Sequence, residues 1–445
     1  MLIRYFVENF LSFNDQIEFS LIPGKGSLLR NHVVQGKNIR DINILRTALI
    51  YGPNSSGKSN LIKSIKFAQQ LIVRGTRANQ AIAIKPFKLL QENINKPSKF
   101  QFDFKYKEKI YSYSFSVNFN AILEEYLYEI KSKKPSLIFE RKIQQDNKSL
   151  ITFDKKISKK QKDRDFLNFV AEGTRPNQLF LTESIQRNVP FFASVYEWFA
   201  RVLVIIFPET KPMSIEYIIG KNEAVTKNYN EILSKFDTGV TELKTQKYNL
   251  EKQVTGIPEE IIATLKKDLD TPNKKAIIGS SNNDRYFAYK EQSGELVALK
   301  LIAKHKIKDT DKYIDFELMD ESDGTRRIID LLPALSNLLA SERIFIIDEL
   351  DRSLHPNLSR KIMEMFLNNE GSRKSQLIAT THESSLLDLK LLRKDEIWFV
   401  EKDSNYASKV YSLEEFKPRY DKDIRRGYLL GRFGAVPLVR TSNYK

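Results

Sequence analysis

A phosphate-binding loop is the strongest chemical signal in this sequence. Residues 52–59 read Gly-Pro-Asn-Ser-Ser-Gly-Lys-Ser and match the pattern GxxxxGK[ST] at every fixed position. The two glycines let backbone N–H groups point at phosphate oxygens, and the following helix N-terminus adds partial positive charge. In this pattern Lys58 neutralises phosphate oxygens and the Ser59 hydroxyl binds Mg²⁺. The residues predicted to bind a nucleotide here are Gly52, Pro53, Asn54, Ser55, Ser56, Gly57, Lys58, Ser59 and Asn60.

A pair of carboxylates follows a second apolar segment. Residues 344–347 are four apolar residues of a predicted buried strand, and Asp348 and Glu349 come directly after them. Open α/β sheets bind ligands at the carboxyl ends of their strands, so we expect both carboxylates near the phosphate-binding loop. Asp348 is predicted to hold Mg²⁺ through water, and Glu349 to act as the general base that polarises the attacking water. A plain solvated strand end is the alternative interpretation.

A second anion site is predicted at the start of another apolar helix. Ser322 and Gly324 precede this helix, and a Ser and a Gly at a helix N-terminus form an anion site. Since the loop at 52–59 already holds the phosphates of one chain, we expect Ser322 and Gly324 to receive a phosphate bound by another subunit. This predicts a homodimer or a higher homo-oligomer. Simple capping of the helix by Ser322 or Asp323 is the structural alternative.

His382 is the last residue of the predicted site. It follows a predicted strand at 376–379 and lies 34 residues after Asp348. A histidine at this place can reach a γ-phosphate from the neighbouring strand. A lone histidine is more often structural, but the order of loop, Ser-Gly helix, Asp-Glu pair and histidine favours a catalytic role.

Alternating strands and helices are predicted around these residues. An apolar strand at 45–51 and a helix at about 58–73 flank the loop. Period-two alternation between residues 100 and 128 indicates an antiparallel sheet, and the later alternation of strands and helices indicates a mainly parallel sheet covered on both faces. The predicted fold class is therefore α/β, a P-loop ATPase head with an antiparallel β lobe and a helical insertion.

Three segments are predicted along the chain. Residues 1–187 are the N-terminal part of the head, with the phosphate-binding loop and the β lobe, and residues 284–445 are its C-terminal part. Residues 188–283 are predicted to be a helical insertion, because apolar residues recur at helix-like spacing after Trp198 and in an amphipathic segment that Pro258 begins.

Composition narrows the possible function classes. The 445 residues include no cysteine and four histidines, which excludes disulfides and cysteine-based zinc sites, so any metal is expected to be Mg²⁺ on oxygen ligands. No apolar run approaches the length of about 18 residues typical of a membrane span, and the N-terminus lacks a clean apolar stretch. These features predict a cytoplasmic protein that does not contact membranes.

Basic residues give the chain a formal charge of +16 and are densest between residues 131 and 165, where 12 Lys and Arg stand against 5 Asp and Glu. Two interpretations remain open: a solvated basic face, or a surface for nucleic acid or another acidic partner. The clustered lysines are Lys155, Lys156, Lys159, Lys160 and Lys162.

Taken together, these motifs resemble the ABC-type ATPase heads of the SMC, RecF-like and OLD-like branch. VENFLSF at 7–13 is similar to their N-terminal strand motif, and DELDRSLHP at 348–356 resembles their fused Walker B motif and D-loop. The resemblance implies ATP sandwiched between the 52–59 loop of one head and the turn at 322–324 of the other. The signature reads SDGTR where those heads have LSGGQ, and Gln91 is a weak candidate for the Q-loop residue.

A narrower resemblance is to the stand-alone ATPases of bacterial anti-phage systems, such as the sensor ATPase of PARIS. It is carried by SDGTRRIIDLLPAL at 322–335, TTHESSLLD at 380–388 and the tail at 427–437. This resemblance implies a regulatory ATPase that controls a separate effector, expected to be a nuclease encoded nearby, with a phage protein or nucleic acid as the trigger.

Two other functions compete with this expectation. A DNA-repair or recombination ATPase of the RecF or SMC type would act directly on DNA, but no segment shows the sustained heptads of long coiled-coil arms. A transporter motor is disfavoured by the VENFLSF start and the non-standard signature.

Overall fold

The computed structural model describes residues 1–26, 28–37, 41–131, 134–144, 149–154, 157–271, 274–279, 285–369, 371, 374–419 and 423–437. Lys155 and Lys156 of the basic stretch lie outside these described residues. Within the described ranges the strands are β1 (Leu2–Glu8), β2 (Ile17–Ser20), β3 (Val33–Val34), β4 (Ile44–Leu45), β5 (Thr47–Tyr51), β6 (Ser98–Tyr106), β7 (Lys109–Val117), β8 (Ile122–Lys131), β9 (Lys134–Ile143), β10 (Ser149–Phe153), β11 (Leu203–Ile206), β12 (Val240–Asn249), β13 (Lys275–Gly279), β14 (Arg285–Lys290), β15 (Leu296–Lys306), β16 (Tyr313–Glu317), β17 (Ile344–Ile347), β18 (Gln376–Thr380), β19 (Ile397–Lys402) and β20 (Ser408–Ser412). The α-helices there are α1 (Lys58–Arg74), α2 (Gln161–Glu172), α3 (Phe180–Gln186), α4 (Ala193–Glu197), α5 (Ile215–Lys221), α6 (Glu223–Leu233), α7 (Glu259–Leu269), α8 (Asp323–Ala340), α9 (Pro356–Asn368) and α10 (Ile424–Leu429).

The chain forms two compact units. The first unit contains Met1–Pro208, Leu338–Asp351 and Ser359–Lys445. The second contains Glu209–Asn337 and Arg352–Leu358. Each unit is described separately below.

A mostly parallel sheet forms the centre of the first unit. Its strand order is β11-β17-β18-β5-β19-β20, with parallel pairing from β11 to β19 and an antiparallel β20 at the edge. Every residue of β5, β17 and β18 is buried, as expected for strands covered on both faces. Because the carboxyl ends of parallel strands meet at one edge, the residues that follow these three strands are brought together there.

An antiparallel sheet makes up the β lobe of the same unit. Its order is β10-β9-β8-β7-β6-β1-β2, so the N-terminal strand pairs directly with the lobe. Phe100, Phe102 and Phe104 alternate along β6 and are fully buried, and Phe104 stacks on Trp198 with ring centroids 4.2 Å apart. The predicted α/β class and the predicted antiparallel lobe are both confirmed.

The second unit has its own sheet and its own core. The strand order is β12-β15-β14-β13, and β16 pairs with β15. One apolar cluster of this unit joins Leu250, Leu269 and Ala288, so α7 packs on the sheet. Helix α8 starts in this unit at Asp323.

The segment at 188–283 differs from the predicted helical insertion. It contains the helices α4, α5, α6 and α7, but also the strands β11, β12 and β13. The residues from Trp198 onward form one π-helical turn, Trp198–Val202. Strand β11 follows it and pairs with β17 in the central sheet. A short run of buried apolar residues has the same hydrophobicity in a strand as in a helix, and here the β-branched valine and isoleucines of the run form a strand.

Candidate nucleotide site

The phosphate-binding loop connects β5 to α1. Gly52 is buried at the end of the strand, Gly57 precedes the helix, and Lys58 is its first residue. The Lys58 Nζ donates to the carbonyl oxygens of Gly52 (2.7 Å) and Pro53 (3.1 Å), so the ammonium group lies within the loop. Of the remaining residues predicted here, Asn54 and Ser55 are exposed, Ser56 is buried, and Ser59 and Asn60 are half-buried.

Tight packing under the loop explains its two glycines. A Cβ atom at Gly52 would collide with the carbonyl oxygen of Val400, and one at Gly57 would collide with Ser408 and lie 2.8 Å from the Ser12 hydroxyl. Gly57 also has a φ of 117°, which side chains rarely tolerate. The Ser408 hydroxyl lies 2.8 Å from that of Ser12 and 2.6 Å from the carbonyl oxygen of Ser56.

The Gly57→Ala variant should lose about 1–3 kcal/mol of unfolding free energy and most of its ATP affinity, because the added methyl both strains the backbone and pushes on the two serines. Gly294→Ala is the matched control, since Gly294 also has a positive φ (89°) but a Cβ there meets nothing within 4 Å. Thermal unfolding and ATP-binding measurements compare the two variants. Equal losses in both would show that the contacts under the loop are unimportant.

Asp348 and Ser59 meet beside the loop. Asp348 follows β17 and is buried, and its Oδ1 lies 3.1 Å from the Ser59 hydroxyl oxygen. A hydroxyl and one carboxylate are suitable ligands for Mg²⁺, which in phosphate sites takes one or two protein ligands and completes its shell with water and phosphate oxygens. The two predicted metal ligands therefore lie side by side and their chemistry fits Mg²⁺, while metal binding itself stays a prediction. No group of three or more His, Cys, Asp or Glu residues that could hold a metal ion is found among the described residues.

Glu349 has an unusual backbone conformation. Its φ is 51°, in the left-handed region, although it is not a glycine. Its backbone N–H donates to the Thr380 hydroxyl at 2.7 Å. Such strain persists only where neighbouring contacts hold it, and it often marks functional sites.

His382 follows β18 at the same edge of the sheet. Its backbone N–H donates to both carboxylate oxygens of Asp351, each at 3.2 Å. Although the residue is exposed, the protein around the ring lowers the pKa of His382, and the charge of Lys58 lowers it further. Asp351, Glu349 and Asp348 act in the opposite direction. His382 thus lies within electrostatic reach of the loop lysine and of both predicted Walker B carboxylates.

The same carboxylates also affect the pKa of Lys58. Burial lowers the pKa of Lys58 to about 8. The negative charges of Asp348, Glu349 and Asp351 oppose this shift. The structure therefore brings together the loop, Ser59, Asp348, Glu349 and His382 at one edge of the sheet.

Ser322 and Gly324 belong to the second unit. The Ser322 hydroxyl accepts a hydrogen bond from the backbone N–H of Thr325 at 3.1 Å, so Ser322 caps α8 as in the structural alternative. A Cβ at Gly324 would lie 2.9 Å from the carbonyl oxygen of Ser353, which leaves little room for a side chain. Capping and anion binding are compatible, and the predicted anion role stays a prediction.

Several residues around the site were not predicted from the sequence. The hydroxyls of Thr380 and Ser408 bond to site residues, the Ser12 hydroxyl bonds to that of Ser408, and Asp351 accepts the His382 backbone N–H. Gln91, the weak Q-loop candidate, is exposed at the start of a short 3-10 helix. Thr380 and Asp351 lie within motifs that were recognised, TTHESSLLD and DELDRSLHP, and that position is the signal the sequence offers for them.

Among the described residues, no helix combines the length and the apolar character needed to cross a lipid bilayer.

A protein-family model described as "AAA domain, putative AbiEii toxin, Type IV TA system" matches residues 48–388, which is more than half of the chain. No curated protein matches the sequence. Among solved structures, similarity is found to an SmcHead bound to the C-winged helix domain of ScpA, with 15% identity, a TM-score of 0.42, and coverage of 94% of this chain and 99% of that one. The SMC head domain from Thermotoga maritima has 12% identity and a TM-score of 0.37, with 92% and 98% covered.

Proposed function

This chain belongs to the AAA-domain family whose description names the AbiEii toxin and type IV TA systems, and from that premise we propose that it is a Mg²⁺-dependent ATPase that regulates a separate effector in anti-phage defence. The observation that carries the ATPase assignment is the convergence of Lys58, Ser59, Asp348 and Glu349 at the carboxyl edge of one parallel sheet. The family description supports the defence context.

Each residue of this edge has a role in the proposed reaction. The loop N–H groups and Lys58 hold the phosphates, and Ser59 and Asp348 hold Mg²⁺. When bound, Mg²⁺ neutralises charge on the phosphate oxygens. The Glu349 carboxylate accepts a proton from the attacking water, and His382 contacts the γ-phosphate side of the site.

We further propose that the complete site is shared between two copies of the chain. The proposal rests on the residue types, a serine and a glycine at the start of α8, where Ser322 caps the helix and Gly324 lies against the Ser353 carbonyl oxygen. In this arrangement the loop of one copy and the turn at 322–324 of the other enclose ATP. The protein is then a homodimer or a higher homo-oligomer.

The output of such an ATPase is mechanical. Closure of two heads on ATP changes their relative position, and an effector whose affinity differs between the open and closed states is held or released by that change. We propose that the effector is a separate protein encoded nearby, a nuclease, and that a phage protein or nucleic acid is the trigger.

Co-purification tests the regulatory role. Cells that express the chain together with the neighbouring gene product should yield a complex, and Glu349→Gln, which traps bound ATP, should change the amount of co-purified partner at least about fivefold. Glu342→Gln, an exposed carboxylate that pairs with Lys374 just before β17, should leave it unchanged. If the chain alone protects cells from phage or cleaves nucleic acid, the regulatory proposal is wrong and direct action on DNA replaces it.

A further inference from the structure

Thr380 makes hydrogen bonds to each of the three residues that follow β17. It is the last residue of β18 and is fully buried. Its hydroxyl donates to Asp348 Oδ1 at 2.6 Å and accepts the Glu349 N–H at 2.7 Å. Its carbonyl oxygen accepts the Leu350 N–H at 3.0 Å.

We propose that Thr380 is a positioning residue for ATP hydrolysis, which fixes the Asp348 carboxylate for the metal ion and the Glu349 backbone for activation of water. This inference rests on the proposed function. Thr380 itself touches neither substrate nor metal in this role, and it acts through the two carboxylate residues.

Both hydrogen bonds to the Asp348 carboxylate involve the same oxygen, so its second oxygen is available to bind Mg²⁺ or a water on the metal. Oδ1 lies within hydrogen-bond distance of two hydroxyls, those of Thr380 and Ser59. Oδ2 accepts no hydrogen bond from any residue that the structure describes. A carboxylate held through one oxygen has a fixed rotamer, so the other oxygen presents a defined position to Mg²⁺ or its water.

The bond to Glu349 supports a strained conformation. Glu349 is in the left-handed region, which a non-glycine residue adopts only where its surroundings hold it. The Thr380 hydroxyl receives the N–H of that strained residue, and a single hydroxyl can make both bonds because it donates once and accepts once. Removal of the hydroxyl therefore releases the metal ligand and the general base together.

The decisive variants are Thr380→Val, which removes only the hydroxyl function, and Thr380→Ser, which keeps it. Thr47→Val is the matched control, because Thr47 is also fully buried in this sheet and its hydroxyl donates to the Leu377 carbonyl oxygen at 2.7 Å. Thr380→Val should lower turnover at saturating ATP by about 10–100-fold and raise the Mg²⁺ concentration needed for half-maximal ATP binding by a similar factor. ATP affinity without Mg²⁺ should change less than about twofold. Thr380→Ser should restore most of both losses, and Thr47→Val should lower only the melting temperature.

Four results would overturn the inference or separate it from the proposed function. Wild-type turnover and Mg²⁺ dependence in a folded Thr380→Val variant would overturn it, as would equal effects of Thr47→Val. If the unaltered chain neither hydrolyses ATP nor responds to Mg²⁺, the proposed function is at fault instead. A crystal structure of Thr380→Val then decides the positioning role, since an unchanged Asp348 rotamer and Glu349 backbone would contradict it.

Discussion

The Glu349→Gln variant should bind ATP as tightly as the unaltered chain and hydrolyse it at least about 100-fold more slowly. Glutamine has nearly the size and shape of glutamate, so the backbone N–H bond to Thr380 and the conformation of the strand end are kept. It cannot accept a proton from water, however, and general-base assistance is lost. Equilibrium ATP binding and phosphate release under saturating ATP measure the two effects separately.

Three further variants serve as comparisons for Glu349→Gln. Glu342→Gln removes an exposed carboxylate shortly before β17 and should leave both quantities unchanged. Lys58→Ala should show the opposite pattern and lose ATP binding itself, because its Nζ lies inside the loop, whereas Lys63→Ala, on the exposed side of the same helix, should bind normally. Turnover by Glu349→Gln at the rate of the unaltered chain would refute the general-base assignment.

The parts of the fold predicted from sequence are those with a long, regular pattern. The motif at 52–59 predicts a strand before it and a helix after it, because the geometry of the loop requires both. The structure has β5 and α1 at these positions. The alternating aromatics of β6 and β7 bury one face of a sheet, which period two predicts. The segment at 188–283 has shorter elements, and its apolar runs carry too few residues to distinguish β11 from a helix.

In the candidate site, too, some residues could be predicted from the sequence and others could not. Lys58, Ser59, Asp348 and Glu349 could be predicted, because each follows a buried strand whose carboxyl end must face the same edge. The hydroxyls of Ser12 and Ser408 could not, since they are 396 residues apart in the sequence and meet only through tertiary packing. No spacing rule relates two such residues. Thr380 is similar, because its role depends on the register between β17 and β18.

Mixing two inactive variants should restore ATPase activity if the site is shared between subunits. Lys58→Ala disables the loop of its own chain, and Gly324→Asp adds a negative charge and a side chain beside the Ser353 carbonyl oxygen. A mixed dimer then keeps one complete site, formed by the loop of the Gly324→Asp chain and the turn of the Lys58→Ala chain. Random mixing should recover up to about a quarter of wild-type turnover, since about half of the dimers are mixed and each keeps one of two sites.

A second mixture supplies the control for this experiment. Lys58 and Glu349 lie at the same sheet edge of one chain, within electrostatic reach of each other, so they belong to one half of the site. Lys58→Ala mixed with Glu349→Gln should therefore recover no activity, because both sites of that mixed dimer are defective. Native mass spectrometry can confirm that chains have exchanged in both mixtures. Recovery in both would indicate an effect other than site sharing, and recovery in neither, after confirmed exchange, would refute the shared site and leave Ser322 with its capping role alone.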